Sequence, residues 1–128
     1  MNQELFEIKS CMEAGYHPLI YFEGWRVALL NDTPRFHLEN IKEMQRHKTS
    51  DEVFLLLEGN CTLYIADGAE QKIDVITAVN LEAGKLYNVR KGVWHTHVTG
   101  FGTKVAIIEN ADVSSENSEV IPVDLCVL

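Results

Sequence analysis

The sequence predicts an all-β domain, a sandwich or barrel of short antiparallel strands. Two observations point there. Apolar, β-branched and aromatic runs recur at intervals of about eight to twelve residues, enough for about eight to ten strands, and turn residues such as Gly24, Asn31-Asp32-Thr33-Pro34 and Glu58-Gly59-Asn60 break them. No stretch carries the apolar stripe of a convincing amphipathic helix.

Residues 1–18 are mixed, with Leu5, Phe6 and Ile8 as apolar anchors and room for a short strand or helical turn before Ala14-Gly15-Tyr16-His17-Pro18. Leu19–Phe22 and Trp25–Leu30 then read as two strands around a bend at Glu23-Gly24. Ile41–His47 alternates loosely, so that in a strand His47, Gln45, Glu43 and Ile41 share a face. A helix over Leu38–Arg46 competes, since Leu, Glu, Lys, Met, Gln and Arg are good helix formers. The register of the following loop and strand favours the strand.

Glu52–Leu57 is apolar at every position after the glutamate, so both faces need cover: Glu52, Phe54 and Leu56 on one, Val53, Leu55 and Leu57 on the other. Glu58-Gly59-Asn60 turns the chain back into Cys61–Ala66 as a hairpin. A second turn over 67–70 leads to Lys72–Val79, a strand with a wetter face, and Leu81–Val89 runs into the turn Arg90-Lys91-Gly92. Lys104–Glu109 reads as a buried strand, and residues 110–118 as a loose polar loop. The apolar end, 120–128, is costly in water and should dock on its own barrel or on a second subunit.

A chain of 128 residues is one domain, large enough to bury a core without staples. A net charge of −8 argues against a nucleic-acid partner, because phosphate binding is driven by clustered Lys and Arg. The basic residues Arg46, Lys48, Arg90 and Lys91 are a local exception, read either as a lure for a small anion or as solvated loop charges. Cys11, Cys61 and Cys126 are odd in number and widely spaced, which fits no disulfide framework and suits a reducing compartment. With no signal-like start and no run long enough to span a bilayer, the expectation is a cytoplasmic protein without a membrane partner.

Two separated segments carry the chemistry: Gln45-Arg46-His47-Lys48-Thr49-Ser50-Asp51-Glu52 and Gly92-Val93-Trp94-His95-Thr96-His97. In a strand His95 and His97 share one face while Trp94 and Thr96 share the other. Imidazole nitrogens and a carboxylate from a distant strand are donors that suit zinc, iron, nickel or manganese. Four residues separate His47 from Glu52 and six separate Glu52 from Gly59; later come Gly84 and Arg90-Lys91-Gly92-Val93-Trp94-His95.

This pattern resembles the cupin family. Its first motif reads His-x-His, three or four residues, Glu, six residues, Gly; its second reads Gly, five residues, Pro-x-Gly, two residues, His. The resemblance covers 36–110 as the conserved barrel within a single domain of 1–128, with 111–128 as a C-terminal extension. It implies a double-stranded β-helix, the jelly-roll barrel. It also implies a divalent metal ion held by His47, Glu52 and His95, with Gln45, standing where the family has its first histidine, or His97 as the fourth ligand. Arg90 replaces the usual proline and Thr99 a frequent asparagine.

His97 lies about 6.6–6.8 Å along the strand from His95, so it is read as a general acid or base, a partner standing behind a ligand, or a buried hydrogen-bonded histidine. Trp94, facing away from His95, is expected to pack outside the barrel, at an interface. His17 and His37 are read as structural or solvated, and Tyr64 and Tyr87 as core residues or as groups orienting a ligand. Two functions follow as expectations: a metal-dependent enzyme acting on a small polar or anionic molecule, or a metal-free barrel that binds or senses one. Strands with two apolar faces and an apolar end predict a homodimer.

Overall fold

The computed structural model describes residues 5–68 and 71–127. Ten strands run in chain order: β1 Gly15–Phe22, β2 Trp25–Asn31, β3 Glu43–His47, β4 Glu52–Glu58, β5 Cys61–Ala66, β6 Ile76–Asn80, β7 Tyr87–Val89, β8 Trp94–Thr99, β9 Lys104–Asn110 and β10 Ser118–Pro122. They form two five-stranded antiparallel sheets, ordered β1-β2-β9-β4-β7 and β10-β3-β8-β5-β6. The fold is an all-β jelly roll. The helical alternative shrinks to a short 3-10 turn, Leu38–Asn40, after which β3 begins. No helix among the described residues is long and apolar enough to cross a membrane.

The predicted bend at Glu23-Gly24 closes the β1–β2 hairpin, with Phe22 opposite Trp25. Gly59 turns β4 into β5 at φ 78°, and a Cβ there would stand 2.6 Å from the Thr103 backbone, so only glycine fits. The strand expected over 72–79 is shorter. Asp74 N–H donates to the Asp67 carbonyl (2.8 Å), residues 72–75 lie outside any strand, and regular pairing begins only at Ile76. Ala69 and Glu70 of the predicted turn lie outside the described residues. The loose loop expected before β10 ends in a capped turn, Ser115–Asn117, where Ser114 Oγ accepts from Glu116 N–H and Asn117 Oδ1 accepts from Ser114 N–H.

Between the sheets lies the main core, with Leu30, Phe54, Leu63, Val105 and Ile107 almost fully removed from water. A second, smaller core sits on the outer face of the β10-β3-β8-β5-β6 sheet. Met44, Ala66 and Trp94 form it, roofed by Ile73, Ile121 and Val123. The apolar end therefore docks on its own barrel, through β10 pairing with β3 and through Leu125, which is 4% exposed. Trp94 does face away from His95, and its cover comes from the same chain. The outer face of β4 is less covered than its sequence suggests: Val53 and Leu55 are half-buried and Leu57 is 45% exposed.

Candidate metal centre

Two backbone ties bring the distant segments together. Gly92 N–H donates to the His47 carbonyl (2.7 Å), and Lys91 N–H donates to Asp51 Oδ1 (2.8 Å). Asn88 Nδ2 donates to the other Asp51 oxygen (3.0 Å), and these bonds hold the Asp51 carboxyl below its ordinary pKa. The turn before β8 is thus clamped against the end of β3 and the start of β4. Strand alternation then sends His47, Glu52 and His95 inward.

Their donor atoms lie within 4.8 Å of one another, and all three residues are buried. Glu52 Oε1 is 3.0 Å from His47 Nε2 and 2.9 Å from His95 Nε2. Each imidazole is also held from behind. The Val93 carbonyl, 3.0 Å from His95 Nδ1, can only accept, so Nδ1 carries a proton and Nε2 of the neutral ring presents its lone pair to the cluster. Ser118 Oγ lies 2.8 Å from His47 Nδ1 and can fix that ring the same way.

Lone pairs facing a carboxylate need a cation between them, either protons or a metal ion. The local pKa directions express that demand. Burial is the largest influence on Glu52 and raises its pKa, yet the hydrogen bonds and charges of the two histidines together bring it down to about 2. Burial also pushes His95 down, and Glu52 more than reverses it, leaving the ring above its ordinary value.

Glu109, which sequence reading did not single out, completes the polar floor. It lies directly opposite Glu52 across the β4–β9 ladder and is 6% exposed. Its Oε1 accepts from Tyr16 Oη (2.6 Å) and Arg26 Nη2 (2.8 Å). Its Oε2 has no partner and sits 4.0 Å from His47 Nε2. The one signal in the sequence was a glutamate closing the apolar run of β9, the same signature as the glutamate that opens β4.

A cavity of about 270 Å³ stands over these groups, lined by Tyr16, Arg35, Gln45, Glu52, His97 and Glu109 among others. A larger one, about 570 Å³, shares Arg35, Phe36, Gln45 and His97 and adds Lys42, Asn40 and Thr96. Gln45 occupies the shared wall and pairs with His95 across β3 and β8. His97 also lies in that wall. Its ring packs against Phe36 and Phe54, both nitrogens lack a partner, and burial, the dominant cause, pushes its pKa down to about 4.

Other expectations fall elsewhere. Arg46 is on the outer face, 4.5 Å over the Trp94 ring and 2.8 Å from Glu119, while Arg90 lines a separate, mostly apolar cavity. Cations at the site come from Arg26 and Arg35 instead. Tyr64 packs on the outer core and Tyr87 accepts from Glu82 N–H, so the tyrosine facing the site is Tyr16. His37 pairs with Asp32 (2.9 Å) and His17 Nε2 donates to the Ala14 carbonyl (2.8 Å), both local structural roles. The three cysteines are free.

Comparison with known proteins places this arrangement in a fold. No protein-family profile matches the chain. A beta-galactosidase of Alteromonas mediterranea is 24% identical over 123 residues, which is 94% of this chain, and the chain spans 12% of that protein's length. Among solved structures, a cupin-2 domain containing protein from Shewanella frigidimarina is 24% identical, covering 84% of this chain and 87% of that one at a TM-score of 0.51. A 3,4-ketoisomerase from Helicobacter canadensis is 15% identical, covering 73% and 66% at 0.58. Streptomyces PAC13, solved with uridine, is 10% identical, covering 80% and 72% at 0.58. At these identities the likeness is one of fold.

Proposed function

We propose that this chain, a small domain with the cupin fold, binds a divalent metal ion through His47, Glu52 and His95 and holds a small polar or anionic molecule in the cavity above them. The observation that carries the reading is the buried convergence of two imidazole nitrogens and a carboxylate oxygen within 4.8 Å, with each imidazole supported from its far side. The donors fit a borderline ion such as zinc, iron, manganese or nickel. Such an ion, when bound, supplies a Lewis-acidic centre for a ligand oxygen.

The chain's own residues supply the rest. Arg35, in the wall shared by both cavities, offers a bidentate cation to a carboxylate or phosphate, and Lys42 adds charge in the larger space. His97 meets the ligand as a neutral imidazole, with one nitrogen to donate and one to accept, which suits it to orient the ligand and to pass a proton. Solved proteins of this fold include a ketoisomerase and a protein solved with uridine, which supports a small polar ligand as the class.

A metal-free binding module is the second reading, favoured by one fact: Glu52 Oε1 is within hydrogen-bond distance of both histidines, so protons alone satisfy the cluster. Metal analysis of protein purified without affinity tag or chelator separates the two. Near-stoichiometric metal that His47→Ala and His95→Ala each abolish supports the metal centre. Absence of metal, with small-anion binding unchanged in both variants, supports the module.

A homodimer belongs to the same proposal. Val27, Leu29, Val53, Leu55, Ala106 and Ile108 lie in cross-strand register on the outer face of β2, β9 and β4, a continuous apolar surface that is only half-buried. Sedimentation should give a dimer at micromolar concentration and a monomer for Leu55→Glu; a monomeric parent would remove this part.

A further inference from the structure

This chain carries Gln45 where the cupin motif has its first metal-binding histidine, so three donors are accounted for and one is missing. We infer that Glu109, rather than Gln45, is the fourth protein donor, giving a two-histidine, two-carboxylate centre suited to manganese(II) or iron(II). The inference rests on the proposed metal centre and names a donor that the motif does not contain.

Three observations carry it. The Oε2 atom of Glu109 is buried and has no hydrogen-bond partner, an expensive state for a carboxylate unless a cation faces it. That atom is 4.0 Å from His47 Nε2, inside the span of about 4.4 Å that metal–donor distances of about 2.0–2.2 Å allow two donors of one ion; it stands outside the set of His47, Glu52 and His95 atoms that lie within 4.8 Å of one another, so an ion held by all four draws this carboxylate inward. Finally, Glu109 is the ladder partner of Glu52, and acidic residues directly opposite each other repel unless something positive lies between them.

The other oxygen explains why this carboxylate is available. Tyr16 and Arg26 both donate to Oε1, at 2.6 and 2.8 Å, which fixes the side chain with Oε2 turned toward the cluster. Arg26 alone balances one negative charge. Gln45, by contrast, is neutral, only partly buried, and two residues along β3 from His47. Substituting a carboxylate for an imidazole hardens the donor set, which moves preference toward manganese and iron.

The test is titration of the protein, stripped by chelator, with manganese(II), read by loss of the free-ion electron paramagnetic resonance signal. Glu109→Gln, nearly isosteric, should weaken binding tenfold or more. Glu109→Asp, which keeps the charge beside Arg26 but draws the oxygen back, should weaken it by a smaller factor. Gln45→Ala should change it less than threefold, and thermal unfolding in chelator would check that each variant is folded. If Glu109→Gln binds as tightly as the parent while His47→Ala does not bind, the inference is overturned and the metal centre stands. If the parent binds none of manganese, iron, nickel or zinc, both fall together.

Discussion

Trp94 and His95 are consecutive on β8 and almost completely buried, at 0% and 1% exposure, yet they belong to different regions. His95 faces the interior with His47, Glu52 and Glu109, whereas Trp94 faces outward with Met44 and Ala66 under the C-terminal segment. On β3, Met44 and His47 divide in the same way. The difference teaches that a strand's two-residue period lets one short element build a reactive pocket on one face and the packing that steadies it on the other. Stability and chemistry are then separable by single substitutions.

Trp94→Ala should test that separation most strongly. Removing the largest side chain of the outer core should cost about 3–5 kcal/mol in urea denaturation, while the folded fraction keeps its metal affinity. An unchanged midpoint would dissolve the distinction. Leu125→Ala, in the C-terminal turn that packs on the Leu38–Asn40 turn, should cost about 2–3 kcal/mol with the same neutrality toward metal.

Ser118→Ala probes the opposite face. Loss of the hydroxyl 2.8 Å from His47 Nδ1 should weaken metal binding about tenfold, with stability changed by less than about 1 kcal/mol. Equal binding in a calorimetric titration would mean that the hydroxyl does not support the ring. Phe101→Ser sets the baseline: at 95% exposure this aromatic belongs to neither region, so stability should move by no more than about 0.5 kcal/mol and metal binding should not change.

Local spacing made one part of the centre legible in the sequence. His47, Glu52 and His95 sit at fixed distances from turn glycines, and alternation alone put Trp94 on the face away from His95. Glu109 was not legible, because its place depends on the β4–β9 register, a pairing between residues 57 positions apart. Tyr16 was hidden for the same reason, since β1 reaches the site only by pairing through β2 to β9. The cover over Trp94 required knowing that Ile121 and Val123 return to β3, which composition marks only as an apolar end in need of a home. The strand over 72–79 failed differently: its alternation was real, but Ile73 spends its apolar side chain on the outer core from within a loop.

The pairing of β10 with β3 sets Ser118 opposite His47 and Glu119 opposite Arg46. A slip of that edge strand by a single residue would set Glu119 opposite His47 and Val120 opposite Arg46, offering His47 an acid in place of an alcohol and leaving Arg46 without its counter-ion. The same slip would turn Ile121 away from Met44 and strip part of the cover from Trp94. Correct seating of the last strand therefore serves both faces of its sheet at once.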